Sequence, residues 1–520
     1  MLCRVLFLPN QVEIRVPVGT SILDAAKQAG VLIDAPCGGN GTCGKCNVLL
    51  DQDGVETRVL ACKKRITQDC TVTLPKTAQL DTLREGAQRV VEFAPCSSVG
   101  EAVDGACFAA FDLGTTSIVC YLLDGRTGEE IVSRGMQNPQ SAYGADVISR
   151  ANYVLTSNEP DALCDCVIAA FQTLIEQTTK EAGRTPEQVT LVSIVGNTVM
   201  HHILLGLPLE QLVRAPYTPS ALESQIWAAT DLNLRVHPQA VALIGPVIGG
   251  FVGADTVACL TATAFERITQ PTLLLDIGTN GELVCTNGVR RASCSTAAGP
   301  AFEGATISCG MRAEGGAIDH VWQADGAFCY STIEQLPARG ICGSGLIELI
   351  ALLLRDGTID ETGRFSQDGS FSDRLIHNQN GEQAFLIDNG ERQVSLTQKD
   401  VRELQLGKAA IRAGIQVLLS TLSLSEAQVE RVLLAGAFGS HLSPAALCDI
   451  GLLPEAFRDR VESIGNAAGE GAKLYLRNYA LFLESESLAK GTEYLELMRS
   501  AAFSDIYIEA MSFPEFEQKH

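Results

Sequence analysis

Apolar positions along the first stretch of the chain come in short runs. Leu2 to Leu8 and Val12 to Val16 are β-branched and apolar, separated by Pro9, Asn10 and Gln11, which predicts a hairpin. A helix follows, with Thr20 or Ser21 as its cap, Leu23, Ala26 and Ala29 or Val31 at helical spacing, and Gly30 as its stop. Later runs are solidly apolar. Phe108 to Cys120 predicts a strand ending at Asp112, a tight Gly-Thr-Thr turn and a second strand, and Thr272 to Leu283 repeats that plan some 160 residues on. Val432 to Leu442 reads as a strand, a glycine turn and the approach to a helix, and Gly465 to Gly469 as a second small-residue turn. Leu346 to Leu354 predicts an apolar helix capped by Ser344. Between Ala78 and Ala106 the pattern fades. Gly86, Pro95, Gly100 and Gly105 are scattered among polar residues, so a linker is expected, with at most a short helix at Arg84 to Phe93.

Composition sharpens this picture. With 520 residues, 46% apolar and 19% charged, the chain can bury two or three cores. Residues 1 to 76 hold 9 Lys/Arg against 7 Asp/Glu, while the whole chain carries a net charge of -22, so the acidic character lies beyond a boundary near residue 80. Such a charge argues against nucleic acid as a partner. Met1 to Asn10 does not read as a secretory signal, and a cytoplasmic location is expected. The longest apolar stretch, Ala240 to Ala254, is glycine-rich, interrupted by Pro246 and closed by Asp255, so no membrane span is expected. Eighteen cysteines spread through such a chain suggest thiols and metal ligands rather than disulfides.

One cysteine group is clustered. Cys37, Cys43 and Cys46 lie in a glycine-rich loop, and Cys62 follows sixteen positions later. Four thiolates suit an iron-sulfur cluster, and Gly38, Gly39, Gly41 and Gly44 let the backbone turn its amides toward anionic sulfur. The arrangement resembles plant-type and vertebrate-type [2Fe-2S] ferredoxins of the β-grasp fold, although the first spacing is longer and the last gap shorter. A structural zinc site is the competing reading. Cys3, Cys70, Cys96 and Cys107 have no comparable spacing and read as plain thiols.

The two Asp-Gly-Thr hairpins carry a second chemistry. Gly114, Thr115 and Thr116, and again Gly278, Thr279 and Asn280, can cradle phosphate with amides and hydroxyls, while Asp112 and Asp276 can hold a hydrated magnesium ion. Duplicated loops of this kind resemble the actin, sugar kinase and DnaK-type chaperone superfamily, in which Gly436, Phe438 and Gly439, with Gly469, would border the adenosine. Asp255 and Glu303 sit in small-residue loops and are candidates to position an attacking water or assist the metal. A helix cap for Asp255 and a solvated Glu303 are the alternatives. His201 and His202 invite a cobalt-ligand reading, but no matched ligand stands near them in sequence, and core histidines are expected.

The segments GNTVMHHILLGLP (Gly196 to Pro208), DIGTNGEL, GPAFEGA, GICGSGLI, LLAGAFG and SFPEF together resemble the reductive activators of corrinoid-dependent methyltransferases, over nearly the whole chain. The resemblance implies an α/β multi-domain protein: a β-grasp ferredoxin-like domain at 1–80, a linker at 81–106 and a duplicated actin/hexokinase-like, ribonuclease H-like ATPase at 107–520, with lobes of about 107–270 and 271–520. It implies a [2Fe-2S] cluster on cysteines 37, 43, 46 and 62, ATP with Mg2+, a corrinoid methyl-carrier protein as partner, a low-potential electron donor and a homodimer. The implied reaction converts cob(II)alamin to cob(I)alamin. Competing readings are an activator of 2-hydroxyacyl-CoA dehydratases, a chaperone-like cofactor reactivase and a small-molecule kinase.

Overall fold

A computed structural model describes the chain except for residues 1, 10, 32, 34, 36–38, 40, 42–45, 53, 75–88, 97–102, 145, 300, 305, 379–380, 391–392, 437–441 and 517–520. Packing divides it into two units, residues 1–82 with 96–244, and residues 83–95 with 245–520.

The first unit opens with a five-stranded sheet built from β1 (Leu2–Leu8), β2 (Val12–Pro17), β3 (Asn47–Gln52), β4 (Val55–Leu60) and β5 (Cys70–Thr73), in the order β2-β1-β5-β3-β4. β1 alternates exposed and buried positions, so Cys3, Val5 and Phe7 share a core with α1 (Ile22–Gln28), which buries Ile22, Leu23, Ala25 and Ala26 there. Ser21 is the α1 cap, accepting the Asp24 N–H at 3.0 Å. Val5 stands beside Cys70 in the parallel β1–β5 ladder. Burial first, then Cys3, pushes the Cys70 thiol up to about 11, which suits a packed thiol.

The rest of the first unit is a six-stranded sheet in the order β10-β11-β9-β6-β7-β8. Its strands are β6 (Cys107–Leu113), β7 (Ser117–Asp124), β8 (Glu130–Gln137), β9 (Val189–Gly196), β10 (Gln225–Ala228) and β11 (Val241–Ile244). Helices α2 (Val147–Thr156), α3 (Ala162–Glu181) and α4 (Thr198–Leu204) accompany it, and Phe111 stacks on Phe171 of α3 at 4.2 Å.

The second unit repeats this plan. After α5 (Ala254–Ala262) come β12 (Thr272–Ile277), β13 (Gly281–Thr286) and β14 (Arg291–Thr296), an antiparallel meander like β6 to β8. Small sheets of β15 (Ala317–Ala324), β16 (Ala327–Thr332) and β17 (Gly340–Ile341), then β18 (Leu375–His377), β19 (Gln383–Asn389) and β20 (Gln393–Thr397), flank α6 (Gly343–Asp356). The long α7 (Gln398–Thr421) leads to β21 (Arg431–Ala435), α8 (Pro444–Asp449), β22 (Val461–Gly465), α9 (Ala467–Arg477), α10 (Tyr479–Lys490), β23 (Thr492–Tyr494) and α11 (Ala501–Glu509). The main sheet runs β22-β21-β12-β13-β14-β23. β12 is apolar at Leu273, Leu274 and Leu275 in succession because both its faces are covered. Leu273 and Leu275 join the core beneath α6 and α7, and Leu274 joins the core beneath α5, α9 and α10.

Three local expectations change. α6 starts at Gly343, and Ser344 does not cap it; its hydroxyl donates to the Asp319 carbonyl at 2.9 Å, tying α6 to β15. Gly465 turns the chain with φ +59, but Asn466 then caps α9, so Gly469 lies in the first helical turn with its N–H on Asn466 Oδ1 at 2.9 Å. Of the stretch expected as linker, residues 89–95 form an extended strap on the second unit. Arg89 donates to the Thr261 carbonyl at 2.7 Å and pairs with Glu266, Val91 packs into the α5–α9 core, and Ala94 bridges to Asn478. Residues 84–88 of the helix expected there lie outside the described residues.

α5 and α9 cross at a glycine. A Cβ on Gly471 would lie 2.1 Å from the Ala258 carbonyl oxygen. Replacing Gly471 with Ala is expected to force the helices apart and cost about 1–3 kcal/mol, measured as a lowered unfolding midpoint of the purified chain.

Candidate functional site

In the ferredoxin-like domain the Cys46 and Cys62 sulfurs stand 3.2 Å apart without a disulfide, and Cys46 is buried. The strand entry places them: the Ala61 N–H donates to the Cys46 carbonyl at 2.8 Å, and Leu23 of α1 donates to Ala61 in turn. Gly39 and Gly41 have φ of +90 and +73, and a Cβ on Gly41 would strike Lys63. Left-handed glycines beside two converging thiols form a cradle that fits a cysteine-ligated cluster. Cys37 and Cys43 lie outside the described residues.

The first Asp-Gly-Thr turn joins β6 to β7, with Asp112 opposite Val119. Two residues invisible to the motif hold it. Asn138 donates its side-chain amide to the Gly114 carbonyl at 2.8 Å and its backbone N–H to the Thr116 carbonyl at 2.9 Å. Arg150, 1% exposed, donates to the Thr115 carbonyl at 2.7 Å, to Gly144 at 3.0 Å and to Gln140 Oε1 at 3.3 Å. With three successive carbonyls drawn inward, the amides of Thr115 and Thr116, which lie anti to them across planar peptides, point the other way, as phosphate binding requires.

The second turn joins β12 to β13. The pairing places Glu282 directly across from Asp276, a carboxylate where the first hairpin has an apolar residue. Desolvation first, then Asp255, then Asp276, pushes the Glu282 carboxyl well above the usual carboxylate range. Asp255 lies in the first turn of α5, whose cap is Gly253, and accepts the Thr256 N–H at 2.7 Å. Glu303 is half-buried, accepting the Thr279 hydroxyl at 3.0 Å. Gly436, with φ +93, closes the group: an added Cβ would lie 2.6 Å from Asp276 Oδ1. The second unit therefore brings Asp255, Asp276, Glu282 and the turn 278–280 together with Gly436. Phe438 and Gly439 lie outside the described residues. Glu282 could have been found by counting pairs back from the hairpin turn; Arg150 and Asn138 left no local signal.

In the same unit a cavity of about 420 Å³ is lined by residues that include His320, Trp322, Glu348, Arg355, Ser443 and Ala446. Glu348 accepts the Val321 N–H at 3.0 Å and meets His320 Nδ1 at 3.3 Å, and Trp322 is 44% exposed. Ser443 caps α8, the helix that follows the glycine turn after β21.

His201 and His202 are core residues. His202 Nδ1 faces the Thr198 carbonyl at 2.8 Å and Nε2 accepts the Ser220 N–H, which fixes the tautomer with the proton on Nδ1. Burial holds His201 down to about 3, neutral at any ordinary pH. No helix among the described residues is long and apolar enough to cross a membrane.

Comparison with known proteins decides the family. Residues 270–520 match the C-terminal domain of RACo, the ASKHA domain; residues 107–268 match the RACo middle region; residues 6–67 match the 2Fe-2S iron-sulfur cluster binding domain. A corrinoid activation enzyme, RamQ of Eubacterium limosum, is 30% identical, with 97% of this chain and 98% of that protein aligned. The chain belongs to the reductive activators of corrinoid proteins. A [Co(II) methylated amine-specific corrinoid protein] reductase of Methanosarcina barkeri is a more distant relative of this activator, 22% identical over 78% of this chain and 76% of that one. The solved structure of a reductive activator for a corrinoid, iron-sulfur protein superimposes with a TM-score of 0.72 and 28% identity, covering 99% of each chain. The separate ferredoxin-like domain distinguishes this activator from the dehydratase-activator reading, whose cluster would lie within the ATPase.

Arg150 is the test of how the first turn is held. Arg150→Met is expected to leave the Thr115 and Gly144 carbonyls without this donor, lower stability by about 3 kcal/mol and weaken phosphate binding, checked by denaturant unfolding and equilibrium dialysis with ATP.

Proposed function

We propose that this chain returns an oxidised corrinoid protein from cob(II)alamin to cob(I)alamin, using one electron from its [2Fe-2S] domain and the energy of ATP. One observation carries this reading: a single polypeptide joins a ferredoxin-like domain with converging cluster thiols to a duplicated fold that repeats an Asp-Gly-Thr phosphate turn on the matching hairpin of each lobe. A plant-type cluster supplies electrons near about -400 mV. Each further 59 mV or so that cobalt demands costs tenfold in the equilibrium, so nucleotide must bias the transfer.

The residues divide the work as follows. Cys37, Cys43, Cys46 and Cys62 hold the cluster. Gly114, Thr115, Thr116, Gly278, Thr279 and Asn280 offer amides and hydroxyls to phosphate, and Asp112 and Asp276 hold hydrated Mg2+. Gly436, Phe438, Gly439 and Gly469 border the adenosine, and the cavity that Ser443 of α8 helps to line seats the base, with the Trp322 indole as a stacking face and Glu348 as acceptor for the ribose hydroxyls. Asp255 orients the attacking water. The segment from Ser295 to Glu303 faces the corrinoid partner. A low-potential donor reloads the cluster, and the protein works in the cytoplasm as a homodimer.

The decisive experiment follows the cobalt spectrum of a cob(II) methyl-carrier protein mixed anaerobically with this chain and a low-potential reductant. The cob(I) band is expected with ATP and absent without it, and Cys62→Ser is expected to abolish both the iron-sulfur chromophore and the reduction. Equal reduction without nucleotide would exclude the reading. The base seat has its own readout, since the chain holds two tryptophans, Trp227 and Trp322. ATP is expected to quench the Trp227→Phe variant and leave the Trp322→Phe variant unchanged.

A further inference from the structure

We propose that Lys63, Lys64 and Arg65 form the docking rim for a small acidic electron-carrier protein that reloads the cluster. The inference rests on the iron-sulfur reading above and gives the donor a chemistry. In a chain of net charge -22, residues 1 to 76 carry a surplus of cations, 9 Lys/Arg against 7 Asp/Glu, and three of those cations follow Cys62 without a break. The run is pinned at both ends. Ala61 and Ile66 are buried. The Leu23 N–H donates to the Ala61 carbonyl and the Ile22 N–H to the Lys64 carbonyl, each at 3.1 Å, while the Ile66 carbonyl accepts the Gly19 N–H at 2.8 Å and its N–H donates to Thr20 at 2.9 Å. Between these pins the Lys63 and Lys64 N–H groups both donate to the Leu60 carbonyl, at 3.0 and 2.9 Å, so one tight turn carries the Cys62 thiol and the three cations.

Their side chains are left to solvent. Lys63 and Arg65 are exposed and Lys64 is half-buried. The Lys63 stem lies along Gly41 of the cysteine loop, where an added Cβ would strike its Cγ, Cδ and Cε, so the aliphatic part covers the loop and the charge stays at its edge. Arg65 reaches only the Gly19 carbonyl, at 3.5 Å. Among the described residues none of the three forms an ion pair, whereas Arg4 of β1 pairs with Glu13 of β2 at 2.9 Å. Packing of the turn asks for Ala61 and Ile66 alone, and adjacent like charges without a counter-charge repel, so the run answers to something outside the fold. Electron transfer between proteins needs close but brief contact through small, weakly held interfaces. Opposite charge raises the rate of such encounters more than their affinity. A cationic rim beside Cys62 therefore fits a carrier with an acidic surface. One electron leaves the carrier and enters the cluster, and no atom or proton moves with it.

Anaerobic stopped-flow mixing of the full-length, iron-loaded chain with an acidic flavodoxin in its hydroquinone form tests this, read from the flavin absorbance. The second-order rate is expected to fall about tenfold as salt is raised from low to physiological strength. The triple charge reversal Lys63→Glu, Lys64→Glu, Arg65→Glu is expected to slow the low-salt reaction at least about tenfold and to remove its salt dependence, with the triple Gln variant between the two. Reduced methyl viologen, a small cation, is expected to reduce every variant at least as fast as the parent, which shows an intact cluster. Titration calorimetry with oxidised flavodoxin, where no electron moves, is expected to show binding about threefold to tenfold weaker in the reversed variant. A parent rate indifferent to salt overturns the rim. So does a reversed variant that accepts electrons from flavodoxin normally but, once reduced, passes them to a cob(II) protein slowly, since the rim would then serve the corrinoid partner. A parent chain without an iron-sulfur chromophore overturns the cluster reading and the rim together.

Discussion

Asp276 ends a strand buried on both faces, and burial is where a carboxylate is least stable as an ion. Glu282 opposes it across the hairpin, Asp255 adds its field from α5, and Gly436 brings backbone so near that no side chain could intervene. Like charges facing one another in a sheet repel, and here they do so where water is scarce. Such an arrangement is at ease only when a cation joins it or a proton neutralises it. Gly436 and the turn at 278–280 border this same acidic centre.

What the sequence made legible was local. The two Asp-Gly-Thr hairpins are contiguous motifs that follow from residue type and spacing, and the structure places their turns on matching hairpins of the two main sheets. Cys3 and Cys70 were legible as packed thiols because nothing in their spacing suggested ligands, and they lie in a common core.

What stayed hidden depended on contacts between distant segments. Arg150 lies 35 positions from the turn it holds and Asp400 lies 92 from Ser308, and neither has a sequence signature. Ser344 looked like a cap because serine before an apolar helix usually is one, but β15 offered its hydroxyl a carbonyl instead. Gly469 looked like part of a turn because glycine is common there, whereas Asn466 had already started the helix. The strap at 89–95 looked like a tether because its residues are mixed in polarity; Arg89 and Val91 find their partners only in the folded second unit.

The buried Arg150 gives the duplication a further meaning. Guanidinium cannot be deprotonated in a protein, so the first turn rests on a permanent positive charge that no acidity or alkalinity of the medium will remove. The corresponding hairpin of the second lobe is bordered by carboxyls instead, and burial with the neighbouring Asp255 and Asp276 draws the Glu282 group toward protonation. The two hairpins thus share a strand plan and differ in what steadies them, one a cation that pH cannot discharge and the other a set of acids that it can.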